Sequence, residues 1–196
     1  MNEQKAQKRE KPEELIRAKK LIDEGKHDEA LELMKNFEEK EGHPLLDIVS
    51  CHLLKCNLLF QQGKYEDVIK LAEQTYKESL GLGKNLLSID ALMSMPHPLL
   101  WLYRLDKAFD IIKQGEELLK SLTQELPKEY MQREADIAYN KANLYFWGKS
   151  EVGLALEQAE RCLAMREESG SKQQISQSLR QMAWVYCVVK ASWIVL

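Results

Sequence analysis

The 196-residue chain carries 28 Lys and Arg against 31 Asp and Glu, a net charge of −3, with 44% hydrophobic and 30% charged residues. That balance excludes a dominant nucleic-acid surface, which needs a basic excess, and no run of ~18 uninterrupted apolar residues is present to span a membrane. The charged start MNEQKAQKREKPEEL lacks the apolar core of a secretory signal, and Cys51, Cys56, Cys162 and Cys187 show no disulfide-framework spacing, so a reduced, cytoplasmic setting is expected.

Residues 1–11 are too polar to order themselves and read as a solvated tail. Pro12 suits a first helical turn, and Leu15, Ala18, Leu21 and Ile22 follow at helical spacing. Gly25 stops that helix and Asp28 begins the next, whose stripe of Ala30, Leu31, Leu33, Met34 and Phe37 runs to about residue 41. Gly42 and the His43-Pro44 pair mark a boundary. Residues 45–62 form an unusually apolar helix ending at Gly63, residues 66–80 are its partner, and Gly81 and Gly83 close the unit.

A third unit opens at Leu86, but Pro96 and Pro98 interrupt its first helix. An interior proline removes a hydrogen bond and costs ~3 kcal/mol or more, so this helix is expected to split or kink and to stack irregularly. Residues 105–122 supply the second helix. Pro127 opens a fourth unit, with helices over 128–147 and 154–168 and a turn bracketed by Gly148 and Gly153. After Ser169-Gly170-Ser171, residues 172 to about 190 form a fifth first helix. No strand pattern of useful length is present, so one continuous all-α array is expected over residues 12–190.

The turns repeat. GKYEDVIKLA from Gly63 recurs as GKHDEALELM from Gly25, YRLDKAFDII from Tyr103 and SEVGLALEQA from Ser150. Five places after each turn stands a small or short apolar residue, Ala30, Val68, Ala108 and Ala155, at intervals of 38, 40 and 47 residues. Self-similarity at this period specifies a helical solenoid, in which hairpins that cannot hide their own apolar stripe share one elongated core.

Leu179, Met182, Ala183 and Tyr186 on the fifth first helix, and Ala138, Lys141, Ala142 and Tyr145 on the fourth, stand at the spacing large–x2–Leu–Gly–x2–Tyr. Ala30/Met34 and Ala108/Ile112 supply the companion Ala–x3–large pattern, and Val68/Ala72 and Ala155/Ala159 weaker versions of it. In these motifs the chain resembles the tetratricopeptide repeat, in its longer variety of roughly 40 residues. The resemblance implies a right-handed α-α superhelix of about four and a half units. Ala18, Cys56, Ala142 and Ala183 are then the small first-helix residues that admit the second helix, with Pro96 in that place in unit three. Unit four has one residue too many between Ala142 and Ala155. Of its two settings, that with Ala138 and Ala142 inward is preferred over one using Tyr139, Ala142, Asn143 and Phe146, because it leaves Asn143 unburied.

Arrays of this kind hold peptides or partner helices on the concave face lined by first helices. By the resemblance, Leu53 and Asn57, Tyr139 and Asn143, and Arg180 and Trp184 point there, with Phe60 and Phe146 one turn further on. A carboxylate clamp of Lys, Asn and Arg is disfavoured, since Leu53 or Tyr139 stands where its first-helix Lys belongs. Cys51, His52 and Cys56 lack the second ligand pair of a structural zinc site, so no metal or cofactor is expected. His43 and His97 precede prolines and read as boundary structure. With no phosphate loop, nucleophile elbow or zinc-protease motif, the chain does not read as an enzyme.

The end AWVYCVVKASWIVL is apolar where a solenoid normally wears a polar cap. It reads as part of a longer array or, alternatively, as the joint of a homodimer. The functional expectation is a protein–protein interaction scaffold for a peptide or helix of a partner protein, without nucleic acid or membrane. The alternatives are a regulatory or sensor segment of a larger signalling or transcription protein, and a homo-oligomerisation module.

Overall fold

A computed structural model describes residues 11–122 and 127–194, with side chains through residue 188. The polar tail, Lys11 apart, and the side chains of the apolar end at 191–196 lie outside that description. The described residues form α-helices joined by short turns, without a strand. They pair as α1 (Glu13–Asp23) with α2 (His27–Glu39), α3 (Leu45–Gln61) with α4 (Tyr65–Gly81), and the broken α5 (Asn85–Met93) and α6 (Pro96–Trp101) with α7 (Leu105–Lys120). Next, α8 (Pro127–Asn143) and a π-helical turn (Leu144–Lys149) pair with α9 (Val152–Ser169), and α10 (Lys172–Ile194) packs on α9. The chain is an all-α superhelical repeat. No described helix is long and apolar enough to cross a membrane.

Each hairpin closes the same way. Gly25, Gly63, Tyr103 and Ser150 adopt the left-handed conformation, with φ of 75°, 72°, 58° and 56°. In the first three turns the next residue's N–H reaches back five places: Lys26 to Leu21 O at 2.9 Å, Lys64 to Leu59 O at 3.0 Å and Arg104 to Leu99 O at 2.8 Å. These bonds satisfy carbonyls that the helix end leaves open. Beyond the turn, Asp28 and Glu29, Glu66 and Asp67, and Asp106 place negative charge at the positive end of the following helix.

The two helices of a hairpin cross where small residues meet. Ala18, Cys56 and Ala142 on first helices are 0%, 1% and 0% exposed, and Ala30, Val68, Ala108 and Ala155 on second helices are all 0%. The contact is close enough for Cys56 Sγ to lie 3.9 Å from Val68 O. Ala18 precedes Ala30 and Cys56 precedes Val68 by twelve residues, but Ala142 precedes Ala155 by thirteen. The π-helical turn takes up that extra residue. Accordingly Glu151 N–H reaches back six places, to Tyr145 O at 2.9 Å, where the other turns reach five.

Two expectations need correction. Unit three is split at its prolines, as anticipated, yet it does not stack irregularly. Pro96 is the first residue of α6, where its missing N–H has no helical acceptor to lose. It is buried, and Met95 before it and Leu99 after it share the largest apolar cluster among the described residues with Ala108 and Ile112 of α7. In unit four Ala138 and Ala142 do face inward, but Asn143 is only 7% exposed. The wider π turn lets residues of both settings be covered, and the buried amide donates from Nδ2 to Tyr139 O at 3.0 Å.

Candidate functional site

First helices of successive units lie side by side: α5 packs on α8, α6 touches the π turn, and α10 reaches α8 where Gln181 Nε2 donates to Tyr139 O at 2.8 Å. Residues at one repeat position therefore line up across units. One place after the small residue stand Asn57, His97, Asn143 and Trp184, and five places after it Gln61, Trp101 and Trp147.

Two groups form on this face. In the first, the His97 ring lies between Phe60 and Tyr139, with both centroid distances 5.7 Å, and edge-on to Tyr139. Tyr65 stands 5.7 Å beyond Phe60, and the Arg166 guanidinium lies 4.6 Å over the Tyr139 ring. Burial drives the His97 ring down to about 4, with a hydrogen bond to the Asn143 side chain opposing, so the imidazole is neutral. In the second group, Trp147 meets Phe146 edge-on at 4.6 Å and Trp184 at 6.3 Å. Phe146 is buried with Ala155 and Val185, whereas Trp147 and Trp184 are 51% and 57% exposed.

The predicted residues thus take different places. Phe60, Tyr139 and Asn143 gather around His97, and Phe146 and Trp184 gather around Trp147. Asn57 is exposed on α3, its Oδ1 accepting from Gln61 Nε2 at 2.7 Å. Leu53 is half-buried on α3 and Arg180 exposed on α10. Trp101 and Trp147 were not anticipated, and His97, expected only as boundary structure, lies at the centre of the first group. All three obey the repeat spacing, His97 one place after Pro96 and each tryptophan five places after the small-residue position, so counting from Pro96 as from Ala142 finds them.

The acids nearby are neutralised. Asp90 and Asp136 both stand six places before the small-residue position. Asp90 accepts from Arg133 at 2.7 Å, and Asp136 from the buried Arg166 at 2.8 Å. Burial pushes the Asp90 carboxyl above its usual range, with Arg133 opposing.

Away from this face, buried His52 sits between Glu78 (Nδ1 to Oε2, 3.3 Å) and Glu38 (Nε2 to Oε1, 3.7 Å), with Lys55 Nζ on Glu38 at 2.7 Å. Burial pushes the Cys51 and Cys56 thiols up to about 12, so both are protonated and poor nucleophiles. Among the described residues no three His, Cys, Asp or Glu converge to hold a metal.

Solved structures share this architecture. The fold is similar to that of BtubC (BKLC) from P. vanneervenii, with a TM-score of 0.62 and 19% identity over 88% of this chain and 70% of that one. It is also similar to kinesin light chain nearly identical TPR-like repeats from Podosopora anserina, with a TM-score of 0.56 and 14% identity over 91% and 86% of the two chains. No family model and no curated protein matches the chain. At these identities the likeness shows the fold: a TPR-like helical repeat.

Proposed function

We propose that this array is a protein–protein interaction scaffold that receives a peptide or helix of a partner along the face of its first helices. The observation that carries the reading is the set of tryptophans at Trp101, Trp147 and Trp184. They are 49%, 51% and 57% exposed on successive first helices. A solenoid core does not need them there, and half-exposed aromatics are the side chains that dominate protein interfaces once covered. The same face carries the exposed amides of Asn57 and Gln61 on α3, near and next to Phe60 in sequence. Amides beside apolar anchors suit an extended peptide or an amphipathic helix. TPR-like repeats in the similar structures support the scaffold part of the reading. The protein is proposed to have no chemistry of its own and to act in the cytoplasm, without cofactor, nucleic acid or membrane.

Affinity capture with the wild type beside Trp147→Ala and Trp184→Ala tests this. The wild type is expected to retain partners that both variants lose. Equal retention by all three proteins would remove the assignment of this face.

A further inference from the structure

We propose that residues 1–10 lie along the face of the first helices, from unit two to unit four, and compete there with the partner. The competition rests on the scaffold reading above; the placement of the segment stands without it.

The repeat register shows where the segment meets the array. Lys11 stands seven places before the small residue Ala18, while Asp90 and Asp136 stand six places before Pro96 and Ala142. In unit two Ser50 takes that position, and the buried Asp47 stands one turn earlier. Since α1 packs on α3, α3 on α5 and α5 on α8, Lys11 stands at the same level of this face as those acids. Charge links them across α3. Burial pushes the Asp90 carboxyl up and Arg133 opposes it; Asp136 adds to the rise, and the Lys11 ammonium, from unit one, to the opposition. The backbone that leads into α1 therefore comes from the side of the first helices.

Length and charge fit the same placement. Ten extended residues span about 33 Å, and neighbouring helices lie about 8–10 Å apart, so residues 1–10 are long enough to cross α3, α5 and α8. Residues 1–11 carry Lys5, Lys8, Arg9 and Lys11 against Glu3 and Glu10, whereas the remaining 185 residues carry 24 basic and 29 acidic ones. A basic segment thus meets an acidic body. Asp90 and Asp136 keep 26% and 32% of their side chains exposed despite pairing with Arg133 and Arg166, so further cations can approach both. The apolar residues of the segment are Met1 and Ala6. Partly exposed charge pairs then hold it, each worth little, and a partner with apolar anchors for the tryptophans displaces it.

Benzoylphenylalanine placed at Gln7 of the full chain reports the neighbours of the segment on photolysis. Cross-links within one chain to α5, α6 and α8 are expected, mapped by mass spectrometry. Combining Lys5→Glu, Lys8→Glu and Arg9→Glu is expected to lower their yield about fivefold or more, and raised salt to lower it as well. All three residues precede α1, and circular dichroism confirms that the array stays folded. Affinity capture by the same triple variant is expected to retain several-fold more partner than the wild type. Cross-links to α2, α4, α7 or α9, cross-links between two chains, or a yield indifferent to the charge reversal would overturn the placement. Expected cross-links with unchanged capture would overturn the competition. Equal capture by Trp147→Ala and the wild type would remove the partner reading and leave the cross-link map as it is, so the two failures are told apart.

Discussion

The His97 ring meets the Tyr139 ring edge-on at 5.7 Å, and this contact ties the proline-split third unit to the fourth. A neutral imidazole suits that position, and its folded value of about 4 lies well below the ordinary 6.5. The unfolded chain therefore takes up a proton near pH 6.5 that the folded chain refuses until about pH 4. The stabilisation is fully present above pH 6.5 and is lost as pH falls toward 4, by up to about 3 kcal/mol. Urea denaturation at pH 7.5 and pH 4.5 measures the loss, and His97→Gln is expected to shrink it. An identical loss in that variant would take His97 out of the acid response.

Arg166 is a buried cation with assigned partners. It is 4% exposed, and its guanidinium donates to Asp136 Oδ1 at 2.8 Å, Gln174 O at 3.1 Å and Ser178 Oγ at 3.0 Å, linking α8, α9 and α10. Removing one partner of such a pair strands the other, at a cost of about 3–5 kcal/mol. Arg166→Ala is expected to destabilise by that amount, and Arg166→Met combined with Asp136→Asn by clearly less. In a repeat array the loss falls first on the neighbouring units. Hydrogen exchange should therefore rise in α8–α10 before α1–α4, and uniform loss of protection would contradict this.

Tyr103 holds φ of 58° while its side chain is 96% exposed. The matching positions in units one and two are Gly25 and Gly63. A side chain in the left-handed region costs roughly 1 kcal/mol that glycine avoids. Tyr103→Gly is expected to stabilise by up to about 1 kcal/mol, while Gly63→Ala destabilises to a similar extent. Thermal melts of the two variants should move in opposite directions.

Much of this fold follows from a few residues. Gly25 and Gly63 mark the turns, and the small residues after them give the interval, because a hairpin crossing needs both. Pro96 misleads on its own, since its cost depends on whether it falls inside a helix or at its first residue. The setting of unit four was obscured for a different reason. A strict period of 3.6 residues forces a choice between Ala138 and Asn143 as inward positions, and the π turn relieves the chain of that choice. Trp101 and Trp147 escape notice when the turn beyond the groove positions is counted three places on, to Phe60 and Phe146, and not four.

The extra residue of unit four places Trp147, and that makes the π turn testable. Deleting Lys149 restores the twelve-residue offset between Ala142 and the following crossing alanine that units one and two already use. It also removes the ammonium lying 4.5 Å over the Phe109 ring, worth about 0.5–1 kcal/mol at an exposed site. The deletion variant should therefore fold, with stability within about 1 kcal/mol of the parent. Rewinding residues 144–149 as regular helix rotates Trp147 relative to Trp184, however, and breaks their edge-on contact. Tryptophan fluorescence should change, and partners captured by the wild type should be lost as they are with Trp147→Ala. A folded deletion variant that keeps its partners would show that the π turn only accommodates an insertion and has no part in presenting the tryptophans.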